Sequence, residues 1–454
     1  MPLSGLPREI FLKIADRLDD AGVNAISRTN SQVYDLLNGY HYRRDLTKSQ
    51  NSKSLLWGVK NGVEATVRRA LVVCQRLDPI PQCYYDALQV ASYEGHVRLV
   101  KLLLQVDGIN PNLGCRSLET PPLVVAAKMG HSAIVQLLLA AVNINPNVTG
   151  RDRVSALHWA CRMGNVSIVK QLLARADINL NTFGFNGSVT PLMVACRRRD
   201  LEIVNLLLAK DGIDVNLYDL DRDTPLMLAT RMRSVQVIES LLMREDLAPN
   251  ITNSKGDHVL HLSVSLGHTT VKSFLDRADI DPNFVARRGR TGLMTACITG
   301  DLGVVKLFLD RENIDINRQD NSGRTALSLA IYSGSSEAAK LLVARDDIDL
   351  NLPDNNGRTP LFWACHTNCI SVVYRLLGRD NINPNARDNS GFTPLAHACL
   401  LGHAHIVYLL LCRRDIDLNS IDNNDVSILA KVREIVTPQY GEEIESMLRG
   451  AGAR

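Results

Sequence analysis

Apolar residues recur along this chain in short runs at helical spacing, and the runs come in pairs. The second run of a pair, such as "AIVQLLL" from Ala133 to Leu139, reads as one amphipathic helix. The first run carries a leucine followed three places later by alanine or its equivalent. These leucines are Leu55, Leu88, Leu123, Leu157, Leu192, Leu226, Leu260, Leu293, Leu327, Leu361, Leu395 and Leu429, spaced 33 to 35 residues apart. A period of this size, held through twelve units, predicts stacked two-helix modules rather than one thick core.

The unit explains itself physically. In "DNNGRTPLFWACHTN" Thr359 can cap a helix, and Pro360 sits at the first helical position, where no amide partner is lost. Leu361 and Ala364 then share a helical face. Gly62, Gly95, Gly130, Gly164, Gly267, Gly300, Gly334 and Gly402 fall seven places after the leucine, suited to a left-handed helix stop. An asparagine column, Asn112, Asn147, Asn181, Asn216, Asn250, Asn283, Asn317, Asn351, Asn385 and Asn419, places a short amide where it can bond turn backbone.

These columns resemble the ankyrin repeat, whose signature is T-P-L-H-x-A at a period of about 33 residues. The resemblance runs over roughly residues 53 to 449, with "TPLMVA" (190–195), "TPLMLA" (224–229), "TPLFWA" (359–364) and "TPLAHA" (393–398) near consensus. It implies an all-α fold: an ankyrin-repeat solenoid of helix-turn-helix units and finger turns, with a period of about 34. Most units carry one extra residue before the asparagine, as in "LLLAKDGIDVN" (206–216), which reads as a longer connection. The unit at Leu260 loses a residue in "GHTTVKSFL" (267–275), which predicts a local kink. Residues 48–83 read as a degenerate capping repeat and linker, 84–426 as the array, and 427–454 as a terminal cap and tail. In that tail Glu442, Glu443, Glu445 and Arg449 give the last helix a polar outer face.

Residues 1–47 fall outside the repeat. "LPREIFLKIADRL" starts a helix at Pro7, and "VNAISRTNSQVYDLLNGYHYR" supplies two more short apolar patterns. This resembles the F-box, in the form found at the amino terminus of fungal ankyrin proteins, on Leu6, Pro7, Ile10, Ile14, Leu18, Ile26, Val33, Leu36, Leu37 and Tyr42. The resemblance implies a three-helix motif docking on the Skp-type adaptor of a cullin–RING ubiquitin ligase. The acidic-Leu pair common in that family is replaced by Asp20-Ala21-Gly22-Val23. A plain helical cap on the first repeat is the other reading of the same residues.

Composition narrows the function. The formal charge is +3, so no global polyanion-binding field is expected. Aromatics make up 5%, which suits thin helical layers built from Leu, Ala, Val and Ile. The amino terminus lacks the apolar run of a secretory signal, and no stretch approaches a membrane span. Five of the ten cysteines, Cys161, Cys196, Cys297, Cys365 and Cys399, each follow an alanine at one repeat position. That pattern marks a small buried slot and reduced thiols, hence an intracellular protein of cytoplasm or nucleus. No phosphate loop, H-E-x-x-H or G-x-S-x-G motif occurs, so an enzyme, a cofactor or a metal is not expected. His96, His131, His268 and His403 follow the stop glycine, and His158 and His261 follow the leucine, which makes them structural. The group Cys365-His366-Thr-Asn-Cys369 lacks a second ligand pair for zinc.

In the ankyrin family the residues before the stop glycine face the groove. Here four successive units place Lys128, Arg162, Arg197 and Arg231 there, followed by Met129, Met163, Arg198 and Met232. Arg199 and Arg233 replace the usual glycine. A helix dipole accounts for one cation per unit, yet the same column continues as Ser265, Ile298, Tyr332, His366 and Leu400. Four stacked like charges predict an acidic partner, and the methionines an adaptable surface. Phe183, Phe185, Tyr218, Phe284, Arg287 and Arg288 in the finger turns add interface-type residues. The expectation is a non-enzymatic protein that captures a protein target and presents it for ubiquitination. The alternatives are a scaffold without a ubiquitin role and, against the charge balance, a nucleic-acid binder.

Overall fold

Six repeats open with a helix that is started the same way. Thr359 takes extended backbone and its hydroxyl accepts the Phe362 amide at 3.3 Å, while Pro360 fills the first turn. Thr190, Thr224, Thr291, Thr325 and Thr393 cap their helices through the same bond. The helix then stops in left-handed backbone, at Gly130 (φ 81°) and Gly164 (φ 72°) for example. Where the sequence offers arginine, the backbone conformation survives: Arg199 has φ 62° and Arg233 φ 58°. A side chain there costs roughly 1 kcal/mol relative to glycine.

The computed structural model describes residues 53–74, 82–114, 120–185, 187–435 and 438–453. Among them twelve helix pairs follow one another, from Lys53–Lys60 with Glu64–Cys74 to Ile428–Ile435 with Pro438–Gly450. No strand forms among the described residues; isolated bridges such as Gly184–Val189 pin some of the fingers. The chain divides into two compact units, one ending at Leu220 and the other beginning at Asp221. The ten predicted F-box positions, from Leu6 to Tyr42, lie outside the described residues.

The core is the leucine column. Eleven of its twelve members are at most 1% exposed, and only Leu429, in the last repeat, is half-buried. The five column cysteines are free thiols without exposure. Burial pushes Cys196 and Cys297 up to about 12, so these thiols stay protonated. In the final helix Ile444 and Leu448 face inward, Glu442 and Glu443 lie exposed, and Glu445 binds Arg433 and Arg449 at 2.6 and 2.8 Å.

The asparagine column bonds turn backbone, as its spacing suggests, but the turn belongs to the next repeat. Asn351 donates from Nδ2 to the Asn381 carbonyl and accepts the Asn383 amide on Oδ1, both at 2.7 Å. Asn112, Asn147, Asn181, Asn283, Asn317 and Asn385 repeat this two-bond clamp. In these seven repeats one amide therefore fixes register with the next.

The predicted kink is present. The helix at Leu260 is cut to Val259–Ser263, a 3-10 turn covers Val264–Leu266, and the next helix starts at His268. With one residue fewer, Gly267 must be both helix stop and N-cap, and it takes φ 89°, ψ 179° instead of the left-handed well.

Candidate functional site

In the unit ending at Leu220, the helix Ala156–Met163 presents Trp159 half-buried on its face. One repeat earlier, at the end of Pro122–Met129, Lys128 sets its Nζ 4.8 Å from the Trp159 ring centre. One turn after Trp159, the Arg162 guanidinium lies 5.3 Å from the same ring and 4.9 Å from that of Phe185. Phe185 packs edge-on against Trp159, with ring centres 5.7 Å apart. The two cations thus stand on an aromatic platform, each such contact contributing about 0.5–1 kcal/mol. Behind it His158 is buried and its Nε2 lies 3.1 Å from the Val189 carbonyl. Burial holds His158 down to about 4, so it carries no charge at neutral pH.

Phe185 is therefore half-buried in this platform rather than exposed, a correction to the sequence expectation, and its backbone is left-handed at φ 52°. Phe183 and Tyr218 are exposed, at 36% and 47%, as are Met129 and Met163, at 40% and 52%. The cations do not all stand alone, as the like-charge ladder assumed. Arg197 reaches Asp219 at 2.7 Å, and that carboxylate is almost fully covered. Arg198 donates to the Arg162 carbonyl at 2.7 Å, closing the end of the preceding repeat's helix. Among the described residues, no carboxylate lies within the 4.0 Å of an ion pair from Lys128 or Arg162.

In the unit beginning at Asp221, Arg231 is held by Asp223 at 3.1 Å and Asp257 at 3.0 Å, and Met232 beside it is half-buried. Arg233 donates to the Ser265 carbonyl at 2.8 Å. Phe284 stacks on buried His258 at 4.0 Å, so it too is packed. Arg287 and Arg288 are exposed, while their backbone joins neighbouring fingers: the Arg287 amide donates to Gly256, and the Arg288 carbonyl accepts the Asn321 amide. Sequence reasoning missed a second platform here. Trp363, 6% exposed, meets Tyr332 at 5.0 Å and His366 at 5.5 Å, with the Arg358 guanidinium 5.3 Å from its ring. Its indole N–H donates to Asp354 at 3.2 Å. His366 Nδ1 and His397 Nε2 are 2.7 Å apart, so one imidazole donates to the other. Among the described residues no group of three or more potential ligands could hold a metal ion, and no helix is long and apolar enough to cross a membrane.

The family model described as Ankyrin repeats (3 copies) matches in overlapping segments that together run from 55 to 422: 55–150, 88–182, 123–219, 157–253, 192–284, 260–354 and 347–422. The chain is an ankyrin-repeat protein. Such arrays act by binding other proteins, and the surface just described belongs to one. Among solved structures, the crystal structure of the ankyrin repeat domain of Bcl-3, described as a unique member of the IkappaB protein family, is similar to this ankyrin chain. It is 26% identical, with a TM-score of 0.44, over 51% of this chain and all of that one. No curated protein matches.

Within the ankyrin register Trp159 and Trp363 are equivalent, each two places after a repeat leucine, as is Trp57 in the first repeat. Half of that column is aliphatic, as at Val125, Val194, Leu228 and Leu329, so the tryptophans were visible departures. A second column, seven places before the leucine, supplies the partner of Arg197. It holds Asp219, Asp320, Asp354, Asp388 and Asp422, each nearly buried, but Gly150 and Phe185 in the two repeats that follow Lys128 and Arg162, and Asn253 and Ala286 in the unit beginning at Asp221, where Asp223 and Asp257 hold Arg231 instead.

Proposed function

We propose that this ankyrin array captures a protein target through its first-helix face and finger turns, and that the amino-terminal 47 residues act as an F-box presenting that target to a cullin–RING ligase. In this reading the capture residues are Lys128, Met129, Arg162, Met163, Phe183, Phe185, Arg197, Arg198 and Tyr218 in the unit ending at Leu220, and Arg231, Met232, Phe284, Arg287 and Arg288 in the unit beginning at Asp221. The observation that supports it most is the exposed group of Lys128, Arg162, Met129 and Met163. Burying methionine and pairing cations elsewhere would serve the fold equally well, so their presentation is left for a partner. In this reading the protein carries no transfer chemistry itself and accelerates it by proximity.

The adaptor link rests on Leu6, Pro7, Ile10, Ile14, Leu18, Ile26, Val33, Leu36, Leu37 and Tyr42. It is tested by pulling down the Skp-type adaptor with the full chain and with Leu6→Ala/Pro7→Ala. The expected result is enrichment by the first and loss with the second. Background-level recovery by the unaltered chain would remove the ubiquitin role and leave an ankyrin scaffold.

A further inference from the structure

The cation column has one geometry and two outcomes. Arg197 ends its helix facing the finger of the next repeat, finds Asp219 there, and forms an ion pair at 2.7 Å. Arg162 ends the preceding helix in the same register and finds Phe185 instead, at 4.9 Å. Gly150 holds the corresponding place one repeat earlier. The chain has thus replaced the finger carboxylate in the two repeats that follow Lys128 and Arg162. Both cations are exposed, and aromatic rings hold them where a flexible side chain would otherwise wander. Holding them in place lowers the ordering cost of binding an anion. Each is followed directly by an exposed methionine.

We infer that Lys128 and Arg162, seated on Trp159 and Phe185, receive an acidic segment of the captured protein in which carboxylates alternate with apolar residues. This deepens the capture reading and rests on it; Arg197 and Arg231, already satisfied by their own finger aspartates, are not part of the receiving site. The carboxylates take the charge that Asp219 takes from Arg197, and the apolar residues cover Met129 and Met163. A nucleic acid fits less well. The Trp159 ring that a base would stack on is already covered by this chain's own cations, and two free cations supply little of the counterion release that drives such binding.

The test uses the full chain and fluorescently labelled short peptides alternating Glu with Leu, Gln with Leu, or Glu with Ser, read by anisotropy. The Glu–Leu peptide is expected to bind at least about tenfold more tightly than the other two, and to weaken as salt is raised. Lys128→Gln/Arg162→Gln removes that preference by about tenfold or more, with helical circular dichroism unchanged. Lys128→Glu/Arg162→Glu transfers it to a Lys–Leu peptide. Equal affinity for the Glu and Gln peptides, no binding of the Glu–Leu peptide, or tighter binding of a single-stranded oligonucleotide that displaces it would each overturn the assignment. Adaptor recovery is a separate readout that these variants leave unchanged, so a failed peptide test does not mimic a failed adaptor link.

Discussion

Trp159 and Trp363 occupy the same position in repeats of the two different units, and the chain uses them in opposite ways. Around Trp159 the flanking positions are Lys128 and Arg162; around Trp363 the same positions are Tyr332 and His366. The second platform is self-sufficient. Its cation, Arg358, comes from the finger, lies 4.0 Å from Asp388, and the indole itself is bonded to Asp354. The first lacks such a carboxylate and shows more of its surface. One scaffold position is thus closed off by finger aspartates in one unit and left without a finger carboxylate in the other, and the proposed receiving site rests on that difference.

The comparison breaks most visibly on stability. Trp363→Ala removes a buried ring and its aspartate bond, and is expected to cost about 3–5 kcal/mol. Trp159→Ala removes a half-buried ring and should cost only about 1–2 kcal/mol. Urea unfolding checks the order, and the reverse ranking would show that Trp159 belongs to the core.

Acid gives a smaller effect. Burial holds His158 and His397 down to about 4 and His258 to about 3, with the neighbouring His366 and His261 also lowering the latter two. Between these values and the ordinary 6.5 the unfolded chain binds more protons than the folded one. Stability is therefore full above about pH 6.5 and is lost as pH falls toward 4. The melting temperature should drop from pH 7 to pH 5, and His397→Gln should reduce that drop because the second platform's imidazole pair is gone. A melting temperature independent of pH would mean that these rings are hydrated.

The smallest effect lies in the two arginines that replace stop glycines. Arg199→Gly relieves left-handed backbone and should stabilise by about 1 kcal/mol. Arg233→Gly gains less, because it also loses the bond to the Ser265 carbonyl. Equal gains from thermal denaturation would show that this bond contributes nothing.

Most of the fold was legible because a repeat tests each inference many times over. Threonine before proline, the stop glycine and the buried cysteine each recur, and even the missing residue near Gly267 announced its kink. The asparagine column was read correctly as a turn binder, but a single unit cannot say that the turn lies in the next repeat. The site was legible only in part. Counting forward from the leucine found Lys128, Arg162, Arg197 and Arg231, and their equal spacing made them look equivalent. What separates them lies about 22 residues onward, where Arg197 meets Asp219 and Arg162 meets Phe185. That pairing crosses between repeats and needs the folded geometry. Phe183 stayed exposed while Phe185 turned inward, a difference set by left-handed backbone that composition does not reveal.

The central claim is that an absent finger carboxylate, rather than the mere presence of cations, makes the first platform a receiving site. Phe185→Asp tests this directly, because it gives Arg162 the partner Arg197 already has, and aspartate tolerates the left-handed backbone found there. Anisotropy titration of the Glu–Leu peptide is expected to show affinity about tenfold lower for this variant than for Phe185→Asn, which removes the same ring without adding a carboxylate, with the fold intact in both. Equal affinity for the two variants would contradict the account.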